Sequence, residues 1–384
     1  MSTLVKLSRT VLAALLFTLL LGPGTPAGAE SFDVTNLVTD DQSVNAAPIT
    51  DPNLTNAWGV SHSSGSPFWV SSNGGGVAVT YSVNPTTNVT AKVPLDVTIP
   101  GVGTVTGQTF NSAIGSGAFN GDAFLFVSED GTISGWRGAL GTTAETLQVA
   151  SDANVYKGTT LVMTGGHAYL LAANFRAGSI DVRKGDATAP DLAATFIDPN
   201  LPSGYAPFNV QVLGGKVYVT YALQDTLKHD DAAGAGHGFV SAFDAQGNFL
   251  GRVATQGTLN SPWGLAIAPA SFGTDIAGDL LVGNFADGTI NVFSPDPASP
   301  KFLGQLQGGN GSPLDIDGLW ALVPGNDGNG GNSSSIYFSA GPGGEMHGLF
   351  GVIAPVPEPA TGLLLLSGIT TGWLTLRRRR RSVT

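Results

Sequence analysis

The densest group of side chains that could do chemistry lies in residues 223–238, which read LQDTLKHDDAAGAGHG. This stretch interrupts a predicted hairpin with a long acidic insertion, and long loops in compact domains tend to be functional. Carboxylate oxygens together with an imidazole suit a hard or borderline cation. The pattern therefore predicts binding of a ligand or of a divalent cation such as calcium by Asp225, His229, Asp230 and Asp231. The alternative is a solvated acidic loop without a ligand.

A second pair of carboxylates, Asp315 and Asp317, lies in the stretch LDIDGLW, just before a predicted strand. If that strand borders the axis of a ring of sheets, the two side chains could line the ring opening and help to bind a cation. An Asx turn before Gly318 is the other interpretation of the same residues.

Several other chemistries are excluded by composition. The chain has no cysteine, so it has neither disulfides nor thiolate nucleophiles. It has no G-x-S-x-G, H-E-x-x-H or Walker motif. The region between Glu30 and Ala354 carries ten basic and 27 acidic residues, a formal charge of −17, which argues against nucleic acid as a partner. No catalytic residue is identified from motifs.

The elements that must position these side chains recur along the chain. An apolar strand, a turn rich in Gly, Asn or Asp and a second alternating strand form one unit, and its successive copies start with FWVSSNGGGVAVTYS, FLFVSEDGTISGWR, YLLAANFRAGSIDVRK, VYVTYALQD, LLVGNFADGTINVFS and IYFSAGPGGEMHGLF. The period averages about 54 residues, which is typical of propeller blades.

The repeat predicts an all-β, six-bladed β-propeller over residues 30–353. Segments such as NAWGVSHS and SPWGLAIAPA would form the innermost strands, and residues 111–124 would supply that strand in blade 2. Residues 31–40 lack a repeat of their own. They would supply the outer strand that closes the ring onto the last blade.

The two ends of the chain have the composition of targeting segments. Residues 1–29 carry Lys6 and Arg9, an apolar run and then AGA, the order of a secretory signal peptide; a short membrane anchor is the alternative. Residues 360–376 hold no charge and, as a helix, would span about 25 Å, enough for a transmembrane helix. The arginines that follow, in residues 377–384, would keep this tail in the cytoplasm.

The C-terminal region resembles the PEP-CTERM sorting signal of exopolysaccharide-producing Gram-negative bacteria. Residues 354–359 form the linker and motif, and the residues that carry the resemblance are Pro357, Glu358, Pro359, Arg377, Arg378, Arg379, Arg380 and Arg381. The resemblance implies export by the Sec machinery, recognition by an exosortase, transient anchoring in the inner membrane, and release or attachment at the cell surface. A permanent single-pass anchor is the alternative.

The body resembles a bacterial propeller family that is related to NHL-type repeats and often carries PEP-CTERM tails. The stretches that carry this resemblance include DPNLTNAWGVS, ANFRAGSIDV, LLVGNFADGTINVF and IDGLWAL. The resemblance implies the fold and export but no activity. The sequence favours a non-catalytic binder of a surface polysaccharide or protein, associated with the cell surface or the exopolysaccharide; the alternative is a metal-dependent hydrolase or lyase with a cation in the central channel. Asp or His side chains that converge on the axis would favour the enzyme.

Overall fold

The computed structural model describes residues 30–356, which form six β-sheets. The chain opens with β1 (Ser31–Thr39) and β2 (Ile49–Thr50). Blade 1 then comprises β3 (Ala57–Ser61), β4 (Phe68–Ser72), β5 (Val77–Val83) and β6 (Thr90–Thr98). Blade 2 comprises β7 (Val105–Phe110), β8 (Phe124–Ser128), β9 (Ile133–Trp136) and β10 (Glu145–Gln148).

Blades 3 to 5 follow in chain order. Blade 3 comprises β11 (Tyr156–Thr164), β12 (His167–Asn174) and β13 (Ser179–Lys184). Blade 4 comprises β14 (Tyr205–Leu213), β15 (Lys216–Leu223), β16 (Gly238–Phe243) and β17 (Phe249–Thr255). Blade 5 comprises β18 (Pro262–Ile267), β19 (Leu280–Asn284), β20 (Ile290–Phe293) and β21 (Phe302–Gln305). Within each blade, neighbouring strands pair antiparallel in sequence order.

Blade 6 joins the two ends of the described chain. After the short β22 (Gln307–Gly308), which pairs parallel to β1, it comprises β23 (Leu319–Pro324), β24 (Ile336–Ala340) and β25 (Leu349–Pro355). Its outer strand is β1, antiparallel to β25. The predicted closing strand is therefore confirmed, and it covers an edge that would otherwise expose unpaired backbone groups.

Blade 3 has three strands, because the chain after β13 is held by blade 4 instead. Asp198 is buried there, and its Oδ2 accepts hydrogen bonds from Ser241 Oγ at 2.8 Å and Arg252 Nε at 2.5 Å. Phe196 packs against Phe243, with ring centroids 5.8 Å apart. These contacts fix the connecting segment under blade 4, and no strand within residues 30–356 pairs with the outer edge of β13.

Glycines let the innermost strands approach closely around the axis. A methyl group added at Gly59 of β3 would lie 2.6 Å from the Thr106 carbonyl oxygen, and one at Gly107 of β7 would lie 2.6 Å from the Thr159 amide nitrogen. A methyl group added at Gly264 of β18 would likewise lie 2.7 Å from the Trp320 carbonyl oxygen of blade 6. We name these close approaches between neighbouring inner strands the waist of the channel.

Aromatic side chains fill the axis on one side of that waist. Trp58 and Trp320 lie with ring centroids 3.8 Å apart, and Phe285 stacks on Trp320 at 3.9 Å. Trp263 contacts both tryptophans. All three tryptophans are at most 5% exposed, so they belong to the core.

The six-bladed repeat is confirmed, but the predicted inner strand of blade 2 is wrong. Residues 111–124 form two short 3-10 turns, Ile114–Ser116 and Ala118–Gly121, and Phe119 and Asn120 adopt positive φ angles that a strand cannot contain. The inner strand is β7 instead. Its polar residues face the channel, so it lacks the apolar alternation on which the prediction depended.

The predicted terminal segments lie outside the described residues. They are the signal peptide of residues 1–29, the sorting motif Pro357–Glu358–Pro359, the transmembrane helix of residues 360–376 and the arginine tail. Within residues 30–356, no helix has the length and apolarity needed to cross a membrane.

Candidate functional site

One end of the channel gathers side chains from several blades. The residue that follows the second strand of each blade lies in a hairpin turn at this end, and these residues are Asn73, Glu129, Phe175, Gln224, Phe285 and Gly341. Contacts join neighbours in the set. Asn73 Nδ2 donates to Glu129 Oε2 at 3.1 Å, and Gln224 Nε2 donates to the Phe175 carbonyl at 2.5 Å. The turns therefore form a ring around the channel opening.

A buried lysine lies at the centre of this opening. Lys157, near the start of β11, is 2% exposed and donates to Glu129 Oε1 and, at 2.9 Å, to Asp230 Oδ1. His229 Nδ1 lies 3.0 Å from the same Asp230 oxygen. We name Glu129, Lys157, His229 and Asp230 the channel-mouth cluster. It combines blades 2, 3 and 4, and the Lys157 ammonium also lies 5.1 Å from the centre of the Trp58 ring.

The acidic loop between β15 and β16 positions two members of the cluster. Asp225 accepts the His229 amide at 2.8 Å through Oδ1, and its own amide donates to the Asp230 carbonyl at 2.8 Å. These bonds close a tight turn, with Lys228 at a positive φ, that directs His229 and Asp230 toward the axis. Asp225 is thus a positioning residue.

Opposite charges set the ionisation of the cluster. Burial alone would lower the pKa of Lys157, but the charges of Glu129 and Asp230 outweigh it and raise that pKa. Lys157 is therefore an ammonium at neutral pH and cannot act as a free amine nucleophile. Burial would raise the pKa of Asp230, but the charge and hydrogen bond of Lys157 lower it.

Negative charge around Lys157 exceeds what one ammonium balances. Burial raises the pKa of Asp231. Burial also raises the pKa of Glu345, and repulsion from Glu129 and Asp230 adds to the effect. Burial is the main cause of both shifts, and the positive charge of Lys157 opposes it without cancelling it.

Two amides link Glu345 to the cluster, because Asn56 Nδ2 donates to Asn73 Oδ1 at 3.4 Å and Asn73 Nδ2 donates to Glu129 Oε2 at 3.1 Å. Although Glu345 belongs to an exposed turn, its Oε2 accepts a hydrogen bond from Asn56 Nδ2 at 2.7 Å. Asn56 Oδ1 in turn accepts the indole N–H groups of Trp58 and Trp320 at 3.0 and 3.1 Å. Asn56 is thus held rigidly, and it fixes the Glu345 carboxyl over the aromatic core.

The cluster fits a divalent cation by distance and by donor type. Ligand atoms of Glu129, His229 and Asp230 all lie within 4.8 Å of one another. Ligands at about 2.3–2.6 Å on opposite sides of one cation are separated by about 5 Å. Two carboxylates and an imidazole are suitable donors. Because Lys157 bonds the same two carboxylates, its ammonium competes with a cation for them.

The other predicted residues lie elsewhere. Asp315 and Asp317 line a separate cavity of about 310 Å³ together with Val34 and Asn36 of the closing strand. Asp317 Oδ2 accepts the Gly343 amide at 2.8 Å, a contact 26 residues along the chain, which differs from the local Asx turn before Gly318 that the sequence suggested. Of the predicted residues, the structure therefore brings His229 and Asp230 together, with Asp231 next in the chain. Asp315 and Asp317 lie apart from them.

Sequence reasoning missed Glu129, Lys157 and Glu345. Glu129 directly precedes the Asp130-Gly131 turn, and its position after the second strand of a blade is the signal that could have identified it. Lys157 could have been recognised as a charged residue opening an inner strand, a place where apolar residues are expected. No signal in the sequence distinguishes Glu345 from other loop carboxylates.

Comparisons with known proteins support the fold alone. No protein-family model matches the chain. It is 29% identical over 322 residues to an uncharacterized protein of Acanthamoeba polyphaga mimivirus, covering 80% of this chain and 77% of the relative. A second mimivirus protein is 34% identical over 200 residues, half of each chain. The apo-form of a soluble aldose sugar dehydrogenase from Escherichia coli superposes on 85% of this chain and 100% of its own, with a TM-score of 0.52 and 13% identity. The chain is thus a six-bladed β-propeller whose fold is similar to that of the dehydrogenase.

Proposed function

We propose that this protein is an exported hydrolase or lyase that uses a divalent cation at the mouth of the propeller channel. The observation that carries the proposal is the convergence of Glu129, His229 and Asp230, from blades 2 and 4, to within 4.8 Å. Export is proposed from the composition of the two chain ends.

The residues divide into three roles under this proposal. Glu129, His229 and Asp230 would hold the cation, which when bound supplies polarisation of a carbonyl or of water. Lys157 would orient Glu129 and Asp230 through its two ion pairs and offset part of their negative charge. Glu345, which Asn56 fixes at the same end of the channel, would act as the proton donor or acceptor.

A non-catalytic binder is the second candidate, and one observation favours it. The Lys157 ammonium already bonds Glu129 and Asp230, so the channel mouth is partly neutralised without any metal. In that case the cluster is a structural ion pair, and the protein binds a surface polysaccharide or protein through another surface.

Elemental analysis of the purified protein after dialysis tests the first proposal against the second. The enzyme proposal predicts about one divalent cation per chain, lost in His229→Gln and Asp230→Asn. Asp315→Asn is the matched control, since it removes a carboxylate from the separate cavity and should leave the metal content unchanged. A metal-free protein whose thermal midpoint ignores calcium, zinc, manganese and EDTA would contradict the enzyme proposal and support the binder.

A further inference from the structure

The channel has a second cavity, beyond the waist and away from the channel-mouth cluster. It measures about 420 Å³ and receives residues from all six innermost strands, among them Ser61, Gln108, Thr160, Gln211, Trp263 and Val323. Small-molecule sites in proteins typically enclose about 300–1,000 Å³. The cavity is therefore large enough for a small ligand on the axis.

The order of residues along the inner strands separates this cavity from the cluster. Lys157 lies near the start of β11, and Thr160 follows three residues later, about 10 Å farther along an extended strand. Trp263 lies between them, because its indole N–H donates to the Lys157 carbonyl at 3.0 Å while the same residue also lines the cavity. The two sites thus occupy opposite ends of one channel.

The lining is polar, and His62 is its one titratable side chain, with its ring nitrogens 2.9 and 2.8 Å from the Ser63 and Pro324 carbonyl oxygens. None of the described residues that line the cavity is Asp, Glu, Lys or Arg, although the body as a whole is strongly acidic. A charged ligand would lose hydration without gaining an opposite charge, which is unfavourable. The electrostatics therefore select an uncharged ligand.

Fixed polar groups project around the axis. Gln108 Nε2 donates to the Gly59 carbonyl at 2.8 Å and to Ser71 Oγ at 3.0 Å, and Ser61 Oγ donates to Gln108 Oε1 at 3.1 Å. Asn209 Nδ2 donates to the Trp263 carbonyl at 2.8 Å. Buried groups held in this way are preorganised.

Nearer the cavity entrance, polar and apolar groups alternate. Thr109 and Gln211 are only partly buried, so their polar atoms are open to a ligand. Phe110 and Leu213 border the same space and offer apolar surface. A ring-shaped molecule with hydroxyl groups on its rim and apolar faces matches this combination.

We propose that this axial cavity binds an uncharged, hydroxyl-rich molecule with the size of one or two sugar rings. Gln211 and Thr160 are the specificity-determining residues: Gln211 presents an amide, and the Thr160 hydroxyl, which accepts the Val212 amide at 3.3 Å, keeps its proton for a ligand. The site does not depend on a cation at the channel mouth, so its test does not depend on whether the proposed enzyme activity is correct.

Saturation-transfer NMR with D-glucose and maltose, each at millimolar concentration, tests the proposal on the full protein. We expect transfer from at least one neutral sugar and at least tenfold weaker transfer from D-glucuronate. Gln211→Leu combined with Thr160→Val should reduce the neutral-sugar affinity at least tenfold. Lys184→Met, in an exposed ion pair outside the cavity lining, should leave it unchanged.

Three results would overturn the assignment. They are no saturation transfer to either neutral sugar, transfer to D-glucuronate as strong as to the neutral sugars, and wild-type affinity for the neutral sugar in the double variant. Circular dichroism and the thermal midpoint establish that the double variant is folded. If it is not, Gln211→Leu alone, at a partly exposed position, gives the same comparison.

Discussion

The ammonium of Lys157 lies 2.9 Å from Asp230 Oδ1, although the two residues are 73 positions apart and belong to different blades. Glu129, from a third blade, bonds the same ammonium. A buried cation thereby links blades 2, 3 and 4 at one end of the channel, and this link underlies both the stability and the chemistry that we assign to that end.

Lys157→Met should strongly destabilise the protein. The substitution leaves the Glu129 carboxylate, only 12% exposed, without its cationic partner. Breaking a buried ion pair on one side costs about 3–5 kcal/mol, which urea unfolding can measure. Lys184→Met is the control, since Lys184 pairs with the exposed Asp191 and should hardly change the unfolding midpoint. Equal effects of the two substitutions would contradict a structural role for the buried pair.

Asp122 should give the fold a distinctive pH dependence. Its side chain is buried, and burial raises its pKa to about 6, with Arg137 opposing and Glu145 adding to the effect. Because this pKa lies above the unfolded value, the folded state binds more protons near pH 5, so this group stabilises the fold as the pH falls.

Relative to Asp122→Asn, the wild-type free energy of unfolding should increase by about 1–3 kcal/mol between pH 8 and pH 5. Urea unfolding of both proteins at each pH measures the difference. A difference that is constant, or that grows toward high pH, would show that the Asp122 carboxyl is ionised throughout.

Gly107→Ala should destabilise the propeller by about 2 kcal/mol or more. The added methyl group would lie 2.6 Å from the Thr159 amide nitrogen, so two inner strands would have to separate. Gly115→Ala is the matched control, because open space surrounds that glycine. Chemical unfolding compares the two, and a tolerated Gly107→Ala would argue against a tight waist.

Phe32→Ala should weaken the closure of the ring. Phe32 lies on β1, is 2% exposed and packs against Phe272 with ring centroids 4.7 Å apart. Truncating such a buried phenylalanine costs about 3–5 kcal/mol. Val34→Ala changes an exposed residue of the same strand and should cost far less, so similar thermal midpoints for the two variants would contradict the importance of this contact.

The propeller could be predicted because its hairpins repeat locally. In blade 5, for example, alternating residues on β19 and β20 are joined by a turn in which Gly288 has a positive φ, and a single window of sequence contains the whole unit. Inner strands carry a weaker signal. They include the buried residues Gln108 and Lys157, so their sequences lack the regular alternation of buried apolar and exposed polar residues that marks a strand.

The site could be predicted only in part, because it forms between blades. His229 and Asp230 were found since they share one insertion, whereas Glu129 and Lys157 approach them only when the ring closes. Val127 and Val219 occupy equivalent positions on the second strands of blades 2 and 4. Glu129 lies two residues after Val127, whereas Gln224 lies five residues after Val219, so aligning the repeats does not align the turn residues. Turn length, and not the period, determines which side chains reach the axis.

The most direct test of the central claim is anomalous diffraction from crystals of the protein soaked with manganese or zinc. We expect one strong peak bounded by Glu129, His229 and Asp230, with the Lys157 ammonium displaced from at least one carboxylate, and no such peak in Asp230→Asn. An ammonium that still bonds both carboxylates in soaked crystals, with no anomalous peak at the channel mouth, would contradict it.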